Sequence, residues 1–216
     1  MSVSSDDHPP YLAHHFHSMK QQASSAKLGM WLFLAQEILF FSVLFMAYFI
    51  FRYLYPETYL AAHYKLDPAL GGLNTVVLLF SSLTMALGVR AAQRNRSQEA
   101  AKWIWITIVC AFIFLIVKYF EYSHKFHDGL LPGKFYSYEG DIPGRPELFF
   151  TLYFCMTGLH GIHVVAGIGV LAWIAMRAQR NEFDSTYYAP VENVGLYWHL
   201  VDLVWIFLFP LLYLVK

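Results

Sequence analysis

The sequence predicts an all-α integral membrane protein, a bundle of five transmembrane helices with the N-terminus cytoplasmic and the C-terminus outside. Three observations carry that expectation. Of 216 residues, 57% are apolar, 19% aromatic and only 14% charged, against about 25% charged in soluble domains. Five continuous apolar runs each approach the ~20 residues that an α-helix needs to cross ~30 Å of hydrocarbon. Basic residues, finally, collect in alternate connections between the runs.

The runs are expected at about 28–54, 72–89, 103–120, 148–176 and 194–215, after a polar cytoplasmic tail at 1–27; residues 28–216 form one membrane domain. Continuity rather than alternation makes them helices and not barrel strands, because each segment must satisfy its own backbone in lipid. The tail lacks a short apolar core with a small-residue cleavage site, so no removable signal is expected. Its His8, His14, His15 and His17 read as solvated groups. After the second run come Arg90, Arg94, Arg96 and Lys102 against Glu99, and after the fourth Arg177 and Arg180. Lys20 and Lys27 precede the first run, and the positive-inside rule places all three segments in the cytoplasm. The long connection PGKFYSYEGDIPGRPE at 132–147, with Asp128, Glu139, Asp141 and Glu147 in and around it, is too polar to span. Trp31, Trp103 and Trp173 read as interfacial anchors.

Charge excludes little else. Lysine plus arginine and aspartate plus glutamate number 15 each, so no nucleic acid is expected as a partner. The two cysteines, Cys110 and Cys155, both lie in apolar runs and read as small packing residues.

Polar groups at membrane depth are the candidates for function. Glu37 interrupts GMWLFLAQEILFF at 29–41, ~14 Å along a helix entered from inside. A short carboxyl at that depth is either functional or a bonded link between helices. His160 and His163 lie three apart on the fourth helix, and His199 and Asp202 three apart on the fifth. Residues so spaced share a face, so His199 and Asp202 are expected to bond within their own helix. Such a pair suits a metal ligand's outer partner or a proton carrier, and equally a packed polar link. One haem between His163 and His199 is a reading that the spacing leaves open. Gly158, Gly161, Gly167 and Gly169 read as packing positions. Lys118 and Glu121 are expected to pair and reach the interface.

Four motifs in order, GMWLFLAQEILFF at 29–41, LNTVVLLFSS at 73–82, LHGIHVVAG at 159–167 and YWHLVDLVWIFLF at 197–209, resemble subunit III of the haem-copper terminal oxidases. The likeness runs from Lys27 onward and is to the short, five-helix bacterial form. It implies an accessory subunit without redox centres, in the bacterial cytoplasmic membrane, that packs on oxidase subunit I and, through the complex, on subunit II. Haem and copper would reside in subunit I, and this chain would bind no cofactor except phospholipid held in a cleft. Support of proton uptake and protection of the oxygen-reducing site are further implications. So are the surrounding membrane lipids and a larger respiratory supercomplex as partners. On this likeness Glu37 matches a buried, carbodiimide-reactive carboxyl. His160, His163, His199, Asp202 and Glu121 form a polar network, and Trp198, Trp205 and Asn74 belong to interface or lipid packing. Gln36, Leu200 and Lys118 depart from the usual pattern. Alternatives are the related accessory protein of nitric oxide reductase and an independent haem-binding cytochrome.

Overall fold

The computed structural model describes residues 12–138 and 142–214; His8, Glu139, Asp141 and Val215 lie outside the described residues. Six α-helices follow in chain order: α1 Met19–Leu54, α2 Pro56–His63, α3 Pro68–Gln93, α4 Ser97–His127, α5 Pro146–Gln179 and α6 Ala189–Tyr213. Five of them, all but the short α2, are long and apolar enough to cross a membrane. The all-α expectation and its five apolar helices therefore stand.

Local chemistry sets the helix ends. Ser18 caps α1 by accepting from the Gln21 amide, and Asp67 caps α3 by accepting from Ala69 and Leu70. Pro56, Pro68, Pro146 and Pro190 sit in first turns, where a missing N–H costs nothing. Helices α3 and α5 end the same way, with Asn95 at φ 60° and Asn181 at φ 56° just past their last turns. Asparagine tolerates that left-handed conformation better than most side chains, which makes it a fitting stop.

Interhelical bonds show the up-and-down order. Near their starts, α1 and α6 are joined by Lys27 and Glu192 at 2.9 Å, and near their ends Tyr48 donates to the Leu211 carbonyl. Ser97, opening α4, donates to the Ala178 carbonyl at the end of α5. Helix α3 packs mainly on α4 and α6, and α4 on α5. Helix α1 is held more thinly, burying Leu34, Phe41 and Tyr48, a seven-residue repeat that turns one narrow stripe inward. Leu44, Phe45 and Phe51 pack partly against the core, while Leu32, Leu39, Val43 and Phe49 face outward, as lipid-facing side chains do.

Helices α3, α4 and α5 outrun the apolar runs at both ends, and α1 and α6 at their starts. Helix α4 continues past residue 120 through Glu121 and Lys125, and α1 begins well before Leu28. Hydropathy marks contact with hydrocarbon, whereas backbone bonding continues through any polar turn that finds partners. In the connection between α5 and α6, the Thr186 hydroxyl, then the Thr186 and Tyr187 amides, hold the Asp184 carboxyl below its ordinary range.

Candidate functional site

Glu37 lies on the inward stripe of α1, one turn from both Leu34 and Phe41. Its Oε2 is 3.0 Å from His163 Nε2 on α5, and Phe41 meets that imidazole edge-on at 5.2 Å. The other ring nitrogen, Nδ1, is 2.8 Å from the Leu159 carbonyl. A carbonyl only accepts, so Nδ1 carries the hydrogen and neutral His163 offers a bare Nε2. The contact with Glu37 therefore needs one proton of its own, on the carboxyl or on the ring. In either form the pair is neutral overall, which is what makes it tolerable at membrane depth. With side chains 12% and 21% exposed, the pair borders the lipid face rather than the bundle centre.

His199 and Asp202 do not bond one another, contrary to the sequence expectation. His199 Nδ1 lies 2.7 Å from the Ser82 hydroxyl, and Asp202 Oδ2 is 3.3 Å from that of Ser81. The cause is α3, which packs on that face of α6 and presents two adjacent hydroxyls, one to each group. Ser81 also accepts from the Trp198 indole at 3.1 Å, and Thr75, two turns away, accepts from Trp205 at the same distance. Trp198, Trp205 and Asn74 are all enclosed by the bundle's own helices.

Glu121 occupies a second cluster. The expectation that it and Lys118 reach the interface is corrected, since both are buried and 2.9 Å apart. Glu121 also accepts from Tyr153 at 2.9 Å and Tyr213 at 2.6 Å, with Lys125 at 3.5 Å. Lys118 donates onward to Tyr213 at 2.9 Å and Tyr153 at 3.3 Å. Three helix ends are thus tied together by one carboxylate. Lys125, Tyr153 and Tyr213 were missed from sequence, although Phe114, Lys118, Glu121 and Lys125 keep the four-three-four spacing of a buried stripe.

His160 joins neither cluster. It is turned into the interior rather than toward α1, with Phe114 at 5.5 Å and Trp205 at 5.4 Å between ring centres. Of the four glycines expected to pack closely, only Gly167 does. A Cβ there would lie 2.8 Å from the Trp198 ring, whereas nothing stands within 4 Å of Gly161 or Gly169. Cys110 is buried and Cys155 exposed. Among the described residues no group of three or more His, Cys, Asp and Glu side chains is placed to hold a metal ion. A haem shared by His163 and His199 would have to displace Glu37 or break the bond to Leu159, because both His163 nitrogens are engaged.

Comparison with known proteins bears on the family of the chain. The family model described as cytochrome c oxidase subunit III matches residues 10–142 and 144–216. A cytochrome c oxidase subunit 3 from Synechocystis sp. is 32% identical over 214 residues, covering 99% of this chain and 85% of the relative. A probable subunit 3 from Nocardia farcinica is 28% identical over 200 residues, covering 93% and 92%. The subunit 3 of Locusta migratoria, 28% identical over 207 residues, is covered to only 70% of its length. A match over nearly the whole chain, and near-complete coverage of bacterial relatives, leave one assignment: the protein belongs to the cytochrome c oxidase subunit III family, in its five-helix, bacterial-length form.

Proposed function

We propose that this chain is the accessory, non-redox subunit of a proton-pumping haem-copper oxidase, packed on the subunit that carries haem and copper. It holds phospholipid and, through Glu37, helps keep the proton-uptake side of the complex working. The observation that carries this reading is the Glu37–His163 pair: a carboxyl bordering lipid, bound so that it shares one proton with an imidazole. Such a pair can pass its proton between carboxyl and ring while staying neutral overall, so an exchangeable proton is held at membrane depth without a net charge. Two grooves support the lipid reading. One of about 370 Å³ between α4 and α5 is lined by Leu115, Tyr119, Gly161 and Val165, and one of about 550 Å³ between α3 and α4 by Val76, Phe80, Val109 and Ile113. Both have the apolar character that an acyl chain requires.

Carbodiimide chemistry tests the site. A lipid-soluble carbodiimide is expected to modify Glu37 in the intact complex and a water-soluble one to leave it nearly untouched; equal modification would place the carboxyl in bulk water and remove the basis of the reading. Glu37→Ala should retain haem content and the initial oxygen-reduction rate while activity decays faster during turnover. Immediate total loss would give the residue a direct catalytic part instead.

The distribution of basic residues supports an orientation. Lys20, Lys27, Arg94, Arg96 and Arg180 all lie at the end of the bundle where α1 starts, and we assign that end to the cytoplasm of a bacterial inner membrane. Single cysteines at Arg94 and Tyr64 should react with a membrane-impermeant maleimide from opposite sides of sealed vesicles, Arg94 from the cytoplasmic side. The reverse result inverts the assignment.

A further inference from the structure

A column of buried polar side chains runs along the interior of α3, α4, α5 and α6. Thr84 and Thr107 meet at 2.8 Å toward the amino-terminal end. Ser81, Trp198 and Asp202 come next, and Lys118, Glu121, Tyr153 and Tyr213 occupy the far end. Between these groups lies the level of Phe114 and Trp205, where the Trp205 indole bonds sideways to Thr75 and no hydrogen bond among the described residues joins Asp202 to Lys118. His160 is fully enclosed at that level, and neither of its ring nitrogens has a hydrogen-bond partner. Asp202 Oδ1 and both amide atoms of Asn74 are likewise buried without a partner.

Unmatched polar atoms in a closed interior are costly, and several in one region are rarely tolerated dry. An imidazole always presents one N–H and either a second N–H or a lone pair, so His160 has two bonds to make. An N–H pointed at the Trp205 face would satisfy one of them only. We propose that His160 marks an internal water site, and that bound water carries the polar column across the Phe114 and Trp205 level, between Asp202 and the Lys118–Glu121 cluster. The spacing suits this. Along α6, Asp202 is three residues from Trp205, an axial rise of ~4.5 Å, and Lys118 Nζ stands 4.9 Å from the centre of the Trp205 ring. Together the two legs make a gap of about 9 Å, which two or three waters about 2.8 Å from their neighbours bridge. A water there would find several polar partners, as buried waters require. This site is separate from the Glu37–His163 pair and does not depend on the role given to Glu37.

Radiolytic hydroxyl labelling of the intact purified complex in heavy-oxygen water tests the proposal. Radicals born from a bound water oxidise only the side chains beside it. Phe114 and Trp205 are expected to take up the heavy isotope, whereas Met85, fully buried among apolar neighbours and readily oxidised, stays unlabelled. In a second measurement His160→Leu, close in size, should erase the label at Phe114 and lower the thermal midpoint of the complex, because it strands the water's other partners. Labelling of Phe114 and Trp205 no greater than that of Met85 would overturn the proposal. A midpoint raised by His160→Leu would do the same, since a dry, unbonded imidazole is better replaced by hydrocarbon.

Discussion

Glu121→Gln is expected to destabilise the subunit by about 3–5 kcal/mol, the cost of leaving buried charge without its counter-charge. The substitution keeps the shape, and the amide oxygen still accepts from Tyr153 and Tyr213. What it removes is, among the described residues, the one carboxylate bonded to Lys118 and Lys125, whose side chains are 8% and 3% exposed. Two ammonium groups then face each other in a bundle interior, largely shielded from bulk solvent. By contrast, removing Glu99 from its exposed pair with Arg96, 3.3 Å apart, should cost less than about 0.5 kcal/mol. Thermal dissociation of the purified complex, followed by retention of this subunit, reads both. Adding Lys118→Met to Glu121→Gln should recover a large part of the loss, because the pair acts as a unit. An effect of Glu121→Gln no larger than that of Glu99→Gln would show that the cluster is hydrated and screened.

The second large effect belongs to Trp198. Its indole is completely enclosed, donates to Ser81 at 3.1 Å and packs so closely on Gly167 that a Cβ would stand 2.8 Å from it. Trp198→Ala should therefore cost about 3–5 kcal/mol, combining lost apolar contact with the void left behind. Gly167→Val attacks the same contact from the other side by overfilling it, at about 1–3 kcal/mol. Together they should cost less than their sum, since the added branch occupies the space that the indole vacates. The same thermal measurement on single and double variants checks this. Simple additivity would mean that the two positions are not in contact.

Much of this architecture was legible before any coordinates. Five continuous apolar runs of the right length leave helices as the means of satisfying the backbone in lipid, whereas the start of α3 at Pro68, ahead of the run expected from residue 72, comes from the Asp67 cap. Helix ends were less legible, because Lys118, Glu121 and Lys125 look like an exit to water when read singly. Their burial depends on Tyr153 and Tyr213, which are distant in sequence. The same limit applied to the polar groups at depth. Spacing of three correctly places His199 and Asp202 on one face, but it says nothing of the two serines that α3 brings there. Likewise His160 and His163 are one turn apart and serve different surroundings, since the slight rotation between such positions suffices to turn one inward and the other toward α1.

The adjacent hydroxyls of Ser81 and Ser82 have a further effect, on how the chain assembles. Helix α6 is synthesised after the four other spans and enters the bilayer bearing a carboxyl and an imidazole. A slide by one turn along α3 would leave both facing hydrocarbon, while apolar packing of Leu, Val and Ile would hardly notice the shift. Two neighbouring serines thus act as a vernier for the insertion of α6, fixing the depth at which that helix comes to rest.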